Sequence, residues 1–213
     1  MNELQEYIIR FEKALLSVDK VASRQVYLEL SKMISPVEFV DRLIVPVLER
    51  IGLGWEQGIV SLSQVYMSGR LCEDMMDTII IPRSSSQQFQ APIAIAVLED
   101  YHVLGKRIVC SVLRSCQIAI LDFGHGIKVE ELCRKVKEKE VKILLLSTLM
   151  LRSALLVKQL KDKLDGAGND TKIVVGGAPF LFDNQLWKIV GADAFCRNAS
   201  DAISTVNALQ NTL

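Results

Sequence analysis

The junction between the first strand and the first helix predicted for the C-terminal half reads Asp100-Tyr101-His102-Val103-Leu104-Gly105-Lys106. An apolar run at 92–98 precedes this junction, and an amphipathic segment at 105–115 follows it. Open α/β sheets place their ligand-binding groups where a strand gives way to a helix. Because a carboxylate, an imidazole and a glycine lie close together here, the junction is the first candidate for a binding site.

The sequence beyond residue 91 alternates between strand and helix patterns. Apolar runs with β-branched residues predict strands at 93–98, 117–123, 142–147, 172–175 and 194–196. Helical periodicity predicts helices at 105–115, 129–139, 151–164, 184–190 and 200–209. Alternating units of this size predict a doubly wound, flavodoxin-like α/β domain whose five-stranded parallel sheet has the order 2-1-3-4-5.

The first 81 residues are typical of an all-α, four-helix bundle. Helical spacing of apolar residues covers 2–17, 19–33, 35–51 and 61–79, and a turn is predicted at 52–58. Ser35, Pro36 and Glu38 predict a capped start of the third helix, and Pro46 predicts a kink within it. A polar segment rich in serine and glutamine predicts a linker at 82–91, between a helical domain at 1–81 and an α/β domain at 92–213.

Composition limits the possible partners. Lys plus Arg and Asp plus Glu both number 25, which leaves no electrostatic reason to expect a nucleic-acid partner. No apolar run reaches membrane-spanning length, and the N-terminus lacks a signal-peptide pattern. Five scattered cysteines without a Cys-x-x-Cys pair are typical of free thiols, so we expect a cytoplasmic protein without a membrane partner.

The predicted strand order brings three strand ends to one rim of the sheet. Asp100 and His102 follow strand 1, Ser147 ends strand 3, and Gly176-Gly177 follows strand 4. A histidine held by a carboxylate is a common metal ligand. The alternative is that Asp100 simply caps the following helix. This loop offers no four-ligand zinc site, so His102 as a ligand would require a metal already complexed in a macrocycle.

The other glycine motifs are less specific. Gly176-Gly177 predicts either a strand-to-helix turn or a surface against which a ligand lies flat. Gly124-His125-Gly126 does not match a dinucleotide-binding motif, because Val129 stands where the third glycine is needed. The sequence shows no constellation for nucleophilic or acid–base catalysis, so no catalytic residue is predicted.

Three motifs follow one another along the chain: Asp100-x-His102-x-x-Gly105, Ser147-x-Leu149 and Gly176-Gly177. Their order and spacing resemble the three-part signature of cobalamin-binding domains. The helical region is similar to the cap that precedes this domain in methyl-transferring corrinoid proteins and in methionine synthase, with a glycine-aromatic-glycine turn at 52–58. The likeness extends over residues 20–212.

This resemblance implies a cobalamin or related corrinoid bound base-off and His-on, with methylcobalamin as the loaded state. His102 would be the lower ligand of cobalt, Asp100 would hydrogen-bond the far nitrogen of its ring, and Ser147 would be the third member of this relay. Three glycines would leave room for the nucleotide tail: Gly105, Gly176 and Gly177. Three further residues would contact the cofactor: Tyr101, which covers the tail or packs against the protein, Val103 and Leu149.

The resemblance also extends to positions around this set. Three apolar residues of the helical region either shield the upper corrin face or belong to the bundle core: Trp55, Met67 and Leu71. Glu99 and Val103 depart from the family pattern, which often has glycine and aspartate at these positions. The light-sensing branch carries Glu-His after the tryptophan, whereas Val65-Tyr66 stands here, which argues against a light sensor.

The function implied by the resemblance is that of a non-catalytic corrinoid protein carrying a methyl group on cobalt. A substrate-specific methyltransferase would load the methyl group from a small donor, such as a methylamine or a methoxylated compound. A second methyltransferase would pass it to a pterin or thiol acceptor, and a reductive activase is a further implied partner. The alternatives are a cobalamin-dependent sensor or regulatory binding protein and the small subunit of an adenosylcobalamin mutase.

Overall fold

The computed structural model describes residues 3–76, 79, 92–116 and 118–212. Contacts divide the chain into two compact units, residues 1–81 and 82–213. The linker predicted at 82–91 lies outside the described residues. Within the described part of the chain, no helix has the length and apolar character needed to cross a membrane.

The first unit is helical, as predicted. Its elements are α1 (Glu3–Leu16), α2 (Lys20–Leu30), α3 (Pro36–Phe39), a π-helical segment (Val40–Ile44), α4 (Val45–Glu56) and α5 (Leu62–Met76). The capping box predicted at Ser35 and Glu38 is present and starts α3. The core contains Phe11 and Phe39, whose rings meet edge to face with centroids 5.8 Å apart.

The third predicted helix is continuous but changes its winding before Pro46. A π-helical turn at 40–44 separates α3 from α4, and Pro46 lies in the first turn of α4. Proline lacks the N–H that an α-helical ladder needs, and a π turn is one of the few ways to accommodate such a break inside a helix. The expected disruption therefore takes the form of a widened turn.

The turn predicted at 52–58 was wrong at its start, because α4 continues through Gly52 and Gly54 to Glu56. Gly58, at a φ of +73°, ends the helix, and the N–H of Ile59 returns to the Gly54 carbonyl at 2.8 Å. A Cβ at position 54 would lie 2.8 Å from Cγ2 of Val60. Gly54 therefore serves the packing of Val60 on the helix and does not break it.

The second unit is the predicted doubly wound α/β domain. Its strands are β1 (Ile93–Ala96), β2 (Leu121–Asp122), β3 (Ile143–Ser147), β4 (Lys172–Gly176) and β5 (Ala194–Cys196). Its helices are α6 (Leu104–Ser115), α7 (Val129–Glu138), α8 (Leu151–Gly166), α9 (Ala178–Phe182), α10 (Leu186–Ile189) and α11 (Ala199–Gln210). The parallel strands have the order β2-β1-β3-β4-β5, which confirms the prediction.

The sheet is covered on both faces. Alternate strand residues such as Ala94 and Leu144 join the core with α7 and α8, whereas Ile95 and Leu145 join the core with α6 and α11. The register pairs Ala96 with Leu146, and Leu146 with Val175. The segments that follow β1, β3 and β4 therefore emerge at one rim of the sheet, as the predicted order requires.

Several element boundaries differ from the prediction by a few residues, and two elements differ more. The strand predicted at 117–123, whose first residue lies outside the described residues, is reduced over 118–123 to Leu121–Asp122. This edge strand hydrogen-bonds only to β1 within the described sheet. The helix predicted at 184–190 is shortened to α10 (Leu186–Ile189), and α9 before it was not predicted. Asp183 between them has an extended backbone, and its carboxylate accepts the N–H of Gln185 at 2.9 Å. Such a local turn competes with a continuous helix.

Candidate functional site

The segment after β1 is held at the rim by backbone contacts. Leu98 forms an isolated bridge with Ile127, and the N–H of Glu99 donates to the Ile127 carbonyl at 3.0 Å. Helix α6 begins at Leu104, and its N-cap residue is Val103, which makes no side-chain capping bond. The alternative that Asp100 caps this helix is therefore wrong, because its carboxylate has other partners.

The Asp100 carboxylate joins two strand ends. One oxygen, Oδ1, accepts from Nδ1 of His102 at 2.6 Å and from the N–H groups of Tyr101 at 2.6 Å and His102 at 3.2 Å. The other, Oδ2, accepts from the N–H groups of Leu149 at 3.3 Å and Met150 at 3.2 Å. The side chain of Asp100 is 4% exposed, so a buried carboxylate ties the loop after β1 to the loop after β3.

The charge of Asp100 determines the tautomer of His102. Burial by itself raises the pKa of the Asp100 carboxyl, but hydrogen bonds from the His102 ring and from the backbone of His102, Met150 and Tyr101 outweigh it and hold the pKa below its ordinary value. An ionised carboxylate only accepts hydrogen bonds, so Nδ1 of His102 carries a proton.

The far nitrogen of His102 is available to a ligand. The side chain is 54% exposed, and none of the described residues hydrogen-bonds Nε2. With the proton of a neutral ring on Nδ1, Nε2 presents a lone pair. Among the described residues no group of three or more His, Cys, Asp or Glu could hold a metal ion. This arrangement is therefore able to supply one nitrogen ligand and no complete metal-binding set.

Ser147 lies beside the same loop, with its hydroxyl next to Gly105. A Cβ at position 105 would meet Oγ of Ser147 at 2.8 Å. No hydrogen bond joins Ser147 to Asp100 or His102 in the structure, where Leu149 and Met150 supply the bonds from the β3 end. Ser147 thus lies at the rim, as predicted. Its hydrogen bonding with Asp100 and His102 as the third member of a relay stays a prediction.

The glycine pair after β4 has a structural explanation. Gly177 has a φ of +114°, and a Cβ there would overlap the carbonyl oxygen of Thr148. The N–H of Thr148 donates to the Gly176 carbonyl at 3.0 Å, and a Cβ on Gly176 would lie 3.1 Å from the Cys196 carbonyl oxygen. The two positions permit close backbone approach of neighbouring strand ends.

Tyr101 packs on the protein while staying largely exposed. The residue is 76% exposed, and its ring meets that of His125 edge to face with centroids 5.8 Å apart. A Cβ on Gly126, which has a φ of +66°, would lie 2.8 Å from Cε1 of Tyr101. The N–H of Gly126 donates to the Asp100 carbonyl at 2.8 Å. The loop after β2 therefore flanks the histidine loop.

Some residues at the rim were not predicted from the sequence. Met150 binds Asp100 through its N–H and is 53% exposed, and Phe182, after β4, is 86% exposed. An ion pair between the buried Lys106 and the exposed Asp122 was also missed. Lys106 precedes Cys110 and Leu113 at helical spacing, which puts a charge on the apolar face of α6. This spacing could have indicated that Lys106 pairs with a carboxylate in the folded protein.

The three apolar residues singled out in the helical unit have different environments. Leu71 is buried, as the core interpretation expects, and Met67 is half-buried. Trp55 is 48% exposed, so it stays a predicted contact of the upper corrin face. Three exposed apolar side chains nearby in the sequence were not predicted: Ile59, Leu62 and Tyr66.

Comparison with known families gives matches over both units. The family model described as "B12 binding domain" matches residues 91–207. A second model with the same description matches residues 8–80. The first model alone spans more than half of the 213 residues.

Comparison with individual proteins gives matches over nearly the full length. The trimethylamine corrinoid protein 1 of Methanosarcina acetivorans is 28% identical over 98% of this chain and 99% of its own length. The solved monomethylamine corrinoid protein of Methanosarcina barkeri has the same fold, with a TM-score of 0.82, 24% identity and coverage of 97% of this chain and 99% of that one. A chain of the methanol:cobalamin methyltransferase complex of Methanosarcina barkeri also matches, with a TM-score of 0.51 and 18% identity. The match covers 100% of the present chain and 82% of that chain.

Proposed function

This chain belongs to the B12-binding domain family, and from that premise we propose that it carries a methyl group on the cobalt of a bound corrinoid. The observation on which the proposal depends is the Asp100–His102 pair, with Nδ1 of the imidazole bonded to a buried carboxylate and Nε2 open to a ligand. A carboxylate of this kind orients a ligating histidine and raises its basicity.

The residues at the rim fit a corrinoid. A corrin ring supplies the in-plane nitrogen ligands of its metal, so the protein needs to add only one axial donor. His102 provides a single exposed nitrogen, and the described residues contain no competing metal-binding group. We therefore infer base-off, His-on binding, in which His102 takes the lower axial position and Asp100 holds its tautomer.

Other rim residues favour contacts with the cofactor. Gly105 and Ser147 lie against each other, and Gly105 places no side chain beside the Ser147 hydroxyl. Leu149 and Met150, whose N–H groups donate to the Asp100 carboxylate, are 48% and 53% exposed. Exposed apolar groups with a few polar groups are typical of sites for large cofactors. We propose that these four residues border the bound corrinoid and its nucleotide tail.

When bound, the corrinoid supplies a cobalt centre that accepts and gives up a methyl group. The proposed role of this chain is to hold that group, since the described rim offers one ligating imidazole held by an ionised carboxylate. We propose that catalysis resides in partner proteins: a substrate-specific methyltransferase that loads the methyl group, one that transfers it to a pterin or thiol acceptor, and a reductive activase. The trimethylamine corrinoid relatives favour a small methylated amine as the donor.

Reconstitution with a corrinoid tests the axial ligand. Protein grown with ¹⁵N-labelled histidine and loaded with cob(II)alamin should show a two-line nitrogen splitting in its electron paramagnetic resonance spectrum. The nitrogen of the benzimidazole tail is ¹⁴N and would give three lines. His102→Ala should lose the two-line pattern, whereas any His-on fraction of His125→Ala, which alters the chain's other histidine, should still give two lines.

The outcomes separate the candidate functions. Absence of corrinoid uptake by the wild-type protein would end the proposal, and a three-line spectrum would exclude His-on binding. Formation of methyl-cobalt with a methylamine methyltransferase and its donor would support the carrier function. Tight binding of adenosylcobalamin with a light-dependent change in oligomeric state would instead identify a sensor.

A further inference from the structure

Lys106 is a buried cation in the first turn of α6, directly after Gly105. Its side chain is 7% exposed, and Nζ contacts both carboxylate oxygens of Asp122, at 2.6 and 2.7 Å. Burial of a lysine is unfavourable unless a partner neutralises it. The two residues therefore form a fixed link between the helix that follows the histidine loop and the end of strand β2.

Asp122 also binds the loop that follows β2. Its Oδ1 also accepts the N–H of Gly124 at 2.8 Å. Burial by itself raises the pKa of the Asp122 carboxyl, but the hydrogen bonds from Lys106 and Gly124 and the charge of Lys106 hold it below its ordinary value. An ionised Asp122 thus holds both the lysine and the start of the loop.

The loop after β2 returns to the histidine segment. Gly124 and Gly126 both have positive φ, at +90° and +66°. The N–H of Gly126 bonds the Asp100 carbonyl at 2.8 Å, and the ring of Tyr101 lies against Gly126 and His125. A closed set of contacts therefore runs from Lys106 through Asp122 and this loop to the residues next to His102.

The segment from Glu99 to Val103, which carries His102, depends on contacts with other parts of the chain. Glu99 is held at a φ of +45°, a conformation that side-chain-bearing residues rarely adopt, and Val103 gives α6 no side-chain cap. On the β3 side, Leu149 and Met150 hold the Asp100 carboxylate. On the β2 side, the same segment is held by contacts that run through Lys106, Asp122 and the 124–126 loop.

We propose that Lys106 is a positioning residue for the axial histidine, acting through Asp122 and the 124–126 loop without touching the metal. This inference rests on the proposed His-on binding. The pair keeps the Asp100–His102 segment in the geometry in which Nε2 reaches cobalt. A residue of this kind shifts the balance between His-on and His-off protein without abolishing corrinoid uptake.

The test compares Lys106→Met with Lys161→Met in the full-length, ¹⁵N-histidine-labelled protein. Methionine keeps an apolar stem and removes the charge, and Asp122 is exposed enough to be solvated. Lys161 is a matched control, because it pairs with Asp165 at 2.7 Å on α8, away from the contacts described above. In cob(II)alamin-loaded Lys106→Met, the His-on to His-off ratio should fall about 10-fold, the size of effect that supporting contacts of metal ligands produce.

A second measurement uses the protein without corrinoid. Amide hydrogen exchange at Tyr101, His102, Gly124 and Gly126 should be faster in Lys106→Met than in the wild type and in Lys161→Met. The double variant Lys106→Met/Asp122→Asn should resemble Lys106→Met, because both lose the same link. An unchanged His-on ratio in folded Lys106→Met, or an equal loss in Lys161→Met, would overturn the positioning role. Absence of histidine ligation in the wild type would overturn the His-on proposal and this inference with it.

Discussion

The junctions after β1 and after β4 both contain glycine from the same sequence signature, but for different reasons. After β1, Gly105 lies in a helix, and the neighbour that a Cβ would meet is the terminal hydroxyl of Ser147. After β4, Gly177 has a positive φ, and the neighbour is the Thr148 backbone. A hydroxyl rotates away at little cost, whereas a strand-end carbonyl does not.

This difference separates glycines that the fold needs from glycines that a ligand would need. Gly177 is required by the approach of two backbones even when no ligand is bound. At Gly105 a Cβ would meet only the Ser147 hydroxyl, so we propose that the absence of a side chain there leaves room for the cofactor. Substitutions at Gly177 and Gly105 test this contrast. Substitutions at Asp100 and Glu99 test how the segment that carries His102 is stabilised.

The largest effect is expected for Gly177→Ala. The added methyl overlaps the Thr148 carbonyl and is held at an unfavourable φ, so we expect a loss of about 4 kcal/mol in the free energy of unfolding. Urea denaturation of the protein without corrinoid measures it. Gly168→Ala is the matched control, because Gly168 has a φ of +67° with open space around it, and should lose only about 1 kcal/mol. Equal losses would show that strain alone decides both positions.

Asp100→Asn should have the next largest effect. An amide cannot accept all the N–H groups that surround this side chain, so we expect a loss of about 2 kcal/mol in the free energy of unfolding. Asp183→Asn removes a charge from an exposed aspartate that accepts one backbone N–H, and should lose less than about 0.5 kcal/mol. Similar losses in the two variants would contradict the special role of Asp100.

The same carboxyl predicts a dependence of stability on pH. The pKa of Asp100 is lower in the folded protein, so its stabilising contribution is complete above the ordinary aspartate value of about 3.9 and is lost as the pH falls through the lower folded value. Asp100→Asn should therefore lose less stability than the wild type over this acidic range. Parallel curves of unfolding free energy against pH would contradict this expectation.

Glu99→Gly should be stabilising. Glu99 has a φ of +45°, and glycine removes the steric cost of this conformation at the expense of greater freedom in the unfolded chain. We expect a net gain of about 0.5–1 kcal/mol in the free energy of unfolding. Glu99→Ala, which removes the carboxylate but keeps the Cβ, is the control. A gain in the alanine variant as large as that in the glycine variant would point to charge as the cause.

The smallest effect on stability is expected for Gly105→Ala. Rotation of the Ser147 hydroxyl relieves the 2.8 Å contact, and alanine has the higher helix propensity, so the free energy of unfolding should change by less than about 0.5 kcal/mol. Corrinoid affinity, measured by titration, should fall if this space belongs to the cofactor. Unchanged affinity would remove Gly105 from the proposed binding site.

Much of the architecture was predictable because it depends on local patterns. Apolar periodicity distinguished the helical unit from the α/β unit, and alternating elements with right-handed connections left the order 2-1-3-4-5 as the expected one. The rim position of Asp100, His102 and Ser147 followed from that order. The errors were local: the turn predicted at 52–58 starts later, because α4 continues through Gly52 and Gly54, and Gly54 packs against Val60.

By itself, the sequence determined most of the elements, the strand order and the rim on which His102 is presented, because these follow from the spacing of residues along the chain. The tertiary structure decided the partners of Asp100, the need for glycine at 177 and the pairing of Lys106 with Asp122. Each of these depends on atoms brought from separate strand ends into contact. Such contacts leave no periodic trace in the sequence, since hydrogen bonds and steric overlap depend on distances that only the folded chain defines.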